Sequence, residues 1–328
     1  MSHLNYEKID IFEEFIASIP HGERKKFLEE KLEQLKKTKL NILVVGATGA
    51  GKSSTINAIF DMNIAKVGTS STPETQDIKS FTLKNTVIWD TPGLGDSTEN
   101  DRRFSKMIKS KLCEKDENGE GLIDLVLCIL DGSSRDLGTT YTLLKNTIIP
   151  YLGAETSERL IVAINKADIA MSHRGWDIEK NEPEKKLKNF LEEKVESTRQ
   201  RIKDDTGIDI TPIYYAAGFK DEDEEQKPFN ISKLLNKIIT SIKSKKRAVL
   251  LRDVNQNASN FENDDKEKDY NADTQQKADK SWWEQWENIK DVVNWCVEFA
   301  ESETGKKVIE RVGATVKSFI EWVKKNKK

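Results

Sequence analysis

The chain reads as an α/β protein: a three-layer domain with a mainly parallel sheet, preceded by helices and followed by a helical tail. Three observations predict this. From Leu40 onward, short β-rich runs alternate with helical stretches, the pattern of parallel strands joined by helices that cover both sheet faces. A glycine-rich turn joins the first such run to the first helical stretch. The composition also permits a packed core: among 328 residues, 36% are hydrophobic, with 12 Phe and 7 Trp, so a mean hydropathy of −0.65 does not imply wholesale disorder.

Residues 1–38 should be N-terminal helices packed on the core. Ile9, Phe12, Phe15, Ile16 and Ile19 form one apolar stripe, Pro20-His21-Gly22 interrupts it, and Phe27, Leu28, Leu32 and Leu35 form a second. The α/β domain is expected over 39–245, with strands at 40–45, 80–83, 86–89, 122–130, 160–164 and 213–215 and a last helix from about Asn230. Residues 246–280 are expected to be a polar, flexible linker. Beyond Val254, Phe261 and Tyr270, the stretch 253–280 has almost nothing apolar to offset chain entropy. In the remaining stretch, 281–328, lie Trp282, Trp283, Trp286, Trp295 and Trp322. This tail is expected to form two amphipathic helices, at about 281–301 and 304–325.

Charge and composition narrow the function classes. Lys+Arg number 53 against Asp+Glu 56, a net charge of −3, which gives no support to bulk nucleic-acid binding. Apolar runs such as 125–130 are too short to span a bilayer, and no signal-peptide pattern opens the chain. Cys113, Cys128 and Cys296 lack paired or metal-ligand spacing, which fits a reducing cytoplasmic setting.

Three motifs carry the chemistry. The first, Gly46-Ala47-Thr48-Gly49-Ala50-Gly51-Lys52-Ser53 and then Ser54, sits between a strand and a helix. Its glycines let backbone N–H groups turn around phosphate oxygens beside a helix N-terminus. Lys52 would reach the β- and γ-phosphates, and the Ser53 hydroxyl would ligate Mg²⁺. The second, Trp89-Asp90-Thr91-Pro92-Gly93, ends another strand. There Asp90 is placed to hold Mg²⁺ and the Gly93 amide to meet a γ-phosphate. The third, Asn165-Lys166-Ala167-Asp168, follows the strand at 160–164. A carboxylate such as Asp168 can accept two hydrogen bonds from guanine's ring N–H and exocyclic amine. Adenine has no matching donor pair, so the wrong base leaves a polar group unsatisfied. Asn165 would brace neighbouring loops and touch the base, with the Lys166 stem over the ring.

At these residues the sequence resembles the translation-factor-related class of P-loop GTPases over about residues 25–245. The resemblance implies GTP and GDP as ligands, Mg²⁺ as cofactor and GTP hydrolysis in a molecular switch. It also implies a switch-loop threonine that closes on Mg²⁺ and the γ-phosphate; Thr75 is the best match, with Thr72 the alternative. A fifth motif that contacts guanine through a backbone amide has its counterpart in Ala216-Ala217-Gly218. Within the class, the Gly-Lys-Ser-Ser-Thr-Ile-Asn-Ala run and the preceding helices resemble Era-like, YfjP-type bacterial GTPases, whereas Asp90-Thr-Pro-Gly-Leu-Gly-Asp96 also resembles septin-like and immune-associated GTPases.

Small GTPases often carry a Gln after the Asp-x-x-Gly glycine to orient the attacking water, and here Leu94 stands in that place. A hydrocarbon side chain cannot do this, so either another group supplies catalysis or hydrolysis is slow; the resemblance implies the first, with the group coming from a partner, a homodimer across the nucleotide face or another switch residue. Some Era-like enzymes hold potassium with a phosphate-loop Asn, for which this chain has Gly49. The alternative function is a GTP-binding scaffold with negligible hydrolysis. From Glu301 to the end, eight basic residues face four acidic ones. The tail can therefore pack on the chain itself, recruit a partner or lie on an anionic membrane surface.

Overall fold

The computed structural model describes residues 8–62, 66–68, 78–95, 97–134, 137–172, 174–220, 225–287, 290–303 and 305–307. It opens with α1 (Lys8–Ser18) and α2 (Glu23–Lys37), then β1 (Leu40–Gly46), α3 (Lys52–Ile59), β2 (Lys66–Gly68), β3 (Lys79–Thr82) and β4 (Thr86–Asp90). Next come α4 (Thr98–Cys113), β5 (Leu125–Asp131), α5 (Gly138–Leu143), α6 (Ile149–Leu152), α7 (Thr156–Arg159) and β6 (Leu160–Asn165). A short hairpin of β7 (Trp176–Asp177) and β8 (Glu182–Pro183) leads to α8 (Lys185–Thr206) and β9 (Ile213–Tyr214). A second hairpin, β10 (Phe219–Lys220) with β11 (Glu225–Gln226), precedes α9 (Ile231–Ser241), α10 (Ser244–Leu250), α11 (Tyr270–Glu287) and α12 (Lys290–Glu301).

Seven strands form one sheet in the order β2-β3-β4-β1-β5-β6-β9. β1 runs parallel to β4 and β5, β6 runs parallel to β5 and β9, and β3 is antiparallel to β2 and β4. All seven residues of β1 are buried, as expected of a central strand covered on both faces. Its side chains alternate between those faces. Ile42 and Val44 join Ile56 and Ile59 of α3 and Leu235 and Ile238 of α9, while Leu43 and Val45 join Phe104 of α4 and Leu187 of α8. The parallel arrangement brings Gly46, Asp90, Asp131 and Asn165, the last residues of four strands, to one edge of the sheet. There the connection from β1 leads to the β4 side of the sheet and that from β5 to the β6 side, the kind of crevice that open α/β sheets use for ligands.

The N-terminal stripes are buried as their spacing predicts, apart from the half-buried Phe27, but largely against α10, α11 and α12. Ile9, Phe12, Phe15, Leu28 and Leu32 share a cluster with Val249 of α10, Trp282 of α11 and Val297 of α12. Phe12 meets Trp282 edge-on at 5.5 Å between ring centroids, Arg24 lies over the Trp295 ring at 5.2 Å, and Arg252 pairs with Asp10 at 2.9 Å. Of the three options open to the tail, Trp282 and Trp295 thus take the first, packing on the chain itself. The second tail helix, expected at 304–325, lies almost wholly outside the described residues.

The flexible tether expected over 246–280 does not form. Asp253 is fully buried, and its carboxylate accepts the backbone N–H groups of Lys84, Asn85 and Thr86 at 2.9, 2.8 and 2.6 Å. Asn255 and Asn260 donate to carbonyls of Asn57 and Ala58 in α3. Ser232 donates to Asp264 at 2.8 Å, and Asn236 donates to Thr274 at 3.0 Å. The polar residues that suggested solvation instead satisfy backbone and side-chain groups of distant segments, and Phe261 and Tyr270 are buried among them. α11 then runs unbroken across the expected boundary at 280. Among the described residues, no helix is long and apolar enough to cross a membrane.

Candidate functional site

The phosphate loop is the turn from β1 into α3. Gly51 precedes the helix at φ +88 without a side-chain cap, so the first-turn N–H groups and the helix dipole point out of the loop. A Cβ on Gly51 would collide with the Asn165 side-chain amide, which explains the glycine by close approach as well as by its left-handed backbone. Lys52 folds over the loop, its ammonium 3.2 Å from the carbonyls of Gly46 and Ala47. Ser53 and Ser54 are exposed on the first turn.

The segment after β4 is zipped onto this loop. Thr91 donates through its hydroxyl to the Val44 carbonyl at 2.9 Å, and the Thr48 N–H donates to the Leu94 carbonyl at 2.9 Å. Gly93 sits so close that a Cβ there would lie 2.7 Å from the Thr48 nitrogen. Asp90 Oδ1 is buried with no hydrogen-bond partner. Burial pushes the Asp90 carboxyl above its usual range, against the pull of Lys52 and Lys79. Leu94 is 2% exposed and belongs to the core cluster beneath α4. Its side chain therefore faces the interior and not the loop.

The base-side motif ends β6. Asn165, 3% exposed, donates from Nδ2 to the Ala50 carbonyl at 3.0 Å and accepts the Ala217 N–H on Oδ1 at 3.0 Å. One side chain thereby joins the phosphate loop to the loop after β9. Lys166 has a left-handed backbone, φ 62, and its ammonium reaches Asp131 at 2.6 Å. Although burial works against it, the Lys166 ammonium and the Ser133 hydroxyl and amide hold the Asp131 carboxyl below its usual range. Asp168 lies in the half-buried turn Ala167–Ile169. The offer of Ala216 and Ala217 amides to a base does not fit this geometry. Ala216 exchanges backbone hydrogen bonds with Phe229 at 3.1 and 2.9 Å, and the Ala217 amide is engaged by Asn165.

The structure therefore gathers Gly46, Thr48, Gly49, Ala50, Gly51, Lys52, Ser53, Gly93 and Asp90 around one loop, with Asn165 linking it to Ala217. Thr75 and Thr72 lie outside the described residues. Sequence reasoning missed Asp131, whose signal was an acidic residue closing a strand at the same edge as Asp90. It also missed the buried pair Thr55 and Tyr215, whose hydroxyls lie 2.6 Å apart.

A Mg²⁺ ion fits this donor set. Among the described residues no group of three His, Cys, Asp or Glu is poised to hold a metal, but Mg²⁺ characteristically takes one or two protein oxygens and completes its shell with water and phosphate. The unpartnered Asp90 oxygen and the Ser53 hydroxyl are oxygens of that kind.

Comparisons with known proteins find partial similarities. A family model described as 50S ribosome-binding GTPase matches residues 41–166. Mouse septin-9 is 35% identical over 108 residues, 29% of this chain and 17% of the septin. The Escherichia coli K12 protein YfjP is 25% identical over 178 residues, 53% of this chain and 57% of YfjP. A solved structure of Arabidopsis thaliana Toc33 with Mg²⁺ and GMPPNP aligns at a TM-score of 0.39 with 16% identity, covering 66% of this chain and 85% of that one. The chain thus spans less than a fifth of mouse septin-9 and less than two thirds of YfjP. With the strand order, the three motifs in sequence and the matched family model, the chain carries the α/β P-loop GTPase fold.

Proposed function

We propose that this chain binds guanine nucleotide with Mg²⁺ and hydrolyses GTP slowly to GDP and phosphate, as a nucleotide-dependent switch. One observation carries the reading: Asn165 connects the Ala50 carbonyl of the phosphate loop to the Ala217 amide at 3.0 Å on each side. That bridge supports phosphate and base contacts at one end of the sheet, as a single nucleotide would require. Lys52 and the first-turn amides of α3 receive the β- and γ-phosphates. Asp168 accepts the guanine N–H groups beside Asn165, and the Lys166 stem covers the ring. Ser53, Asp90 and the switch threonine, Thr75, hold the ion. Mg²⁺, when bound, would supply positive charge to offset that of the phosphates.

Hydrolysis forms a bond from water to the γ-phosphorus and breaks the bond to the β,γ-bridging oxygen, which leaves with GDP. Leu94 is buried in the core and offers no group to orient that water. The intrinsic rate is therefore low, and a partner or second copy supplies what is missing. Among relatives, we place the chain with Era-like, YfjP-type GTPases, supported by the Gly51-Lys-Ser-Ser-Thr-Ile-Asn-Ala58 run.

Asp168→Asn tests the base assignment. It should weaken GTP binding and raise affinity for xanthosine nucleotides, measured by competition against a fluorescent guanine nucleotide. Unchanged GTP affinity removes Asp168 from the site. Single-turnover hydrolysis across protein concentrations separates a slow switch from a scaffold: no phosphate release at any concentration favours the scaffold.

A further inference from the structure

Two hydrogen-bonded rungs join the phosphate loop to the loop after β9, and the Asn165 bridge is the first. The second is buried beneath it. Thr55 Oγ1 lies 2.8 Å from the Gly51 carbonyl and 2.6 Å from the Tyr215 hydroxyl. A hydroxyl has one proton to give, and a carbonyl can only accept. The Thr55 proton therefore goes to Gly51, and Thr55 accepts from Tyr215. The relay runs one way, from the Tyr215 O–H to Thr55 and from the Thr55 O–H to the Gly51 carbonyl. Both side chains are fully buried, so solvent does not replace either partner and loss of one leaves the other unsatisfied.

The ends of the relay are the two halves of the site. Gly51 closes the phosphate loop and starts α3. Tyr215 accepts the Ala167 N–H at 3.0 Å and donates its own N–H to Ile164 at 2.9 Å, which ties it to the Asn165–Asp168 turn. We infer that Tyr215 and Thr55 are positioning residues that set the spacing between the phosphate loop and the base-binding turn, so that one rigid body makes both sets of nucleotide contacts. The inference rests on the guanine-nucleotide reading above, and both side chains, being fully buried, act through the loops they join.

Three variants test it in the full chain. Tyr215→Phe removes one oxygen and keeps the ring, Thr55→Val keeps the shape and loses the hydroxyl, and Thr55→Ser keeps the hydroxyl. The readouts are dissociation of fluorescent GDP and melting of the nucleotide-free protein. Tyr215→Phe and Thr55→Val should each speed GDP release about fivefold. The double variant should be no faster than the faster single one, because both remove the same link, and Thr55→Ser should stay near wild type. If the variants melt earlier but release GDP at the wild-type rate, the pair is only structural and the inference fails while the nucleotide reading stands. Additive acceleration in the double variant also overturns it. If the wild-type chain does not bind GDP, the nucleotide reading itself fails, and the inference with it.

Discussion

The nucleotide edge and the terminal helical layer are built on opposite principles. At the edge, function depends on backbone groups presented by short loops, and the decisive contacts join residues at strand ends: Asn165 to Ala50 and Ala217, and Thr48 to Leu94. In the terminal layer, α1 and α2 bury their apolar stripes against α10–α12 from the far end of the chain, and the segment between α10 and α11 is held by single polar residues such as Asp253. The edge keeps Asp90 Oδ1 buried without a partner, a destabilising arrangement retained where ligand chemistry needs it. In the layer, burial raises the Asp253 carboxyl too, but there the N–H groups of Lys84, Asn85 and Thr86 oppose it by hydrogen bonding to its oxygens. Ligand affinity and stability should therefore respond to different residues.

The largest expected effect is in the layer. Trp282, 3% exposed and packed edge-on against Phe12, should cost about 4 kcal/mol of stability on Trp282→Ala, read by chemical denaturation. GDP affinity should stay within about twofold if the regions are independent; a large loss of affinity would break the contrast. Next is Lys52→Ala, which should weaken GDP binding by about 100-fold, roughly 3 kcal/mol, and leave the melting temperature nearly unchanged. Asp253→Asn should destabilise by about 2 kcal/mol, because amides of the β3–β4 turn lose a charged acceptor; unaltered stability would mean that the segment is a tether after all. The smallest effect is of opposite sign. Asp90→Asn should stabilise the nucleotide-free protein by about 1 kcal/mol at neutral pH while weakening Mg²⁺-dependent nucleotide binding. Because burial raises the Asp90 carboxyl above its usual range, its unfavourable contribution appears as pH rises through that raised value. The gain from Asn should vanish in acid, where Asp90 is protonated in both states.

Legibility differed by region for the same reasons. The central strands were readable because β1 and β6 contain the apolar runs 42–45 and 160–164, buried on both faces, and the motifs because each residue type has a local job at a strand end. β2, at the sheet edge, escaped notice: three residues, Lys66–Gly68, are too few to show a period. Leu94 was noticed as the place where a Gln was lacking, but its burial under α4 could be seen only once the sheet and helix were assembled. Tyr215 read simply as the end of a strand, since its partner Thr55 lies 160 positions away.

The sequence by itself determined the α/β class, the order of the central strands along the chain and the loops that meet at their ends. These are properties of side-chain periodicity and of short backbone motifs, and both operate over a few residues. Only the tertiary structure decided that the polar stretch after α10 is a packed strap, that α1 and α2 share one cluster with α10–α12 and that Tyr215 locks onto the start of α3. Composition records how polar a segment is. Whether its polar groups meet water or the unsatisfied amides of another segment depends on contacts between residues far apart in the chain.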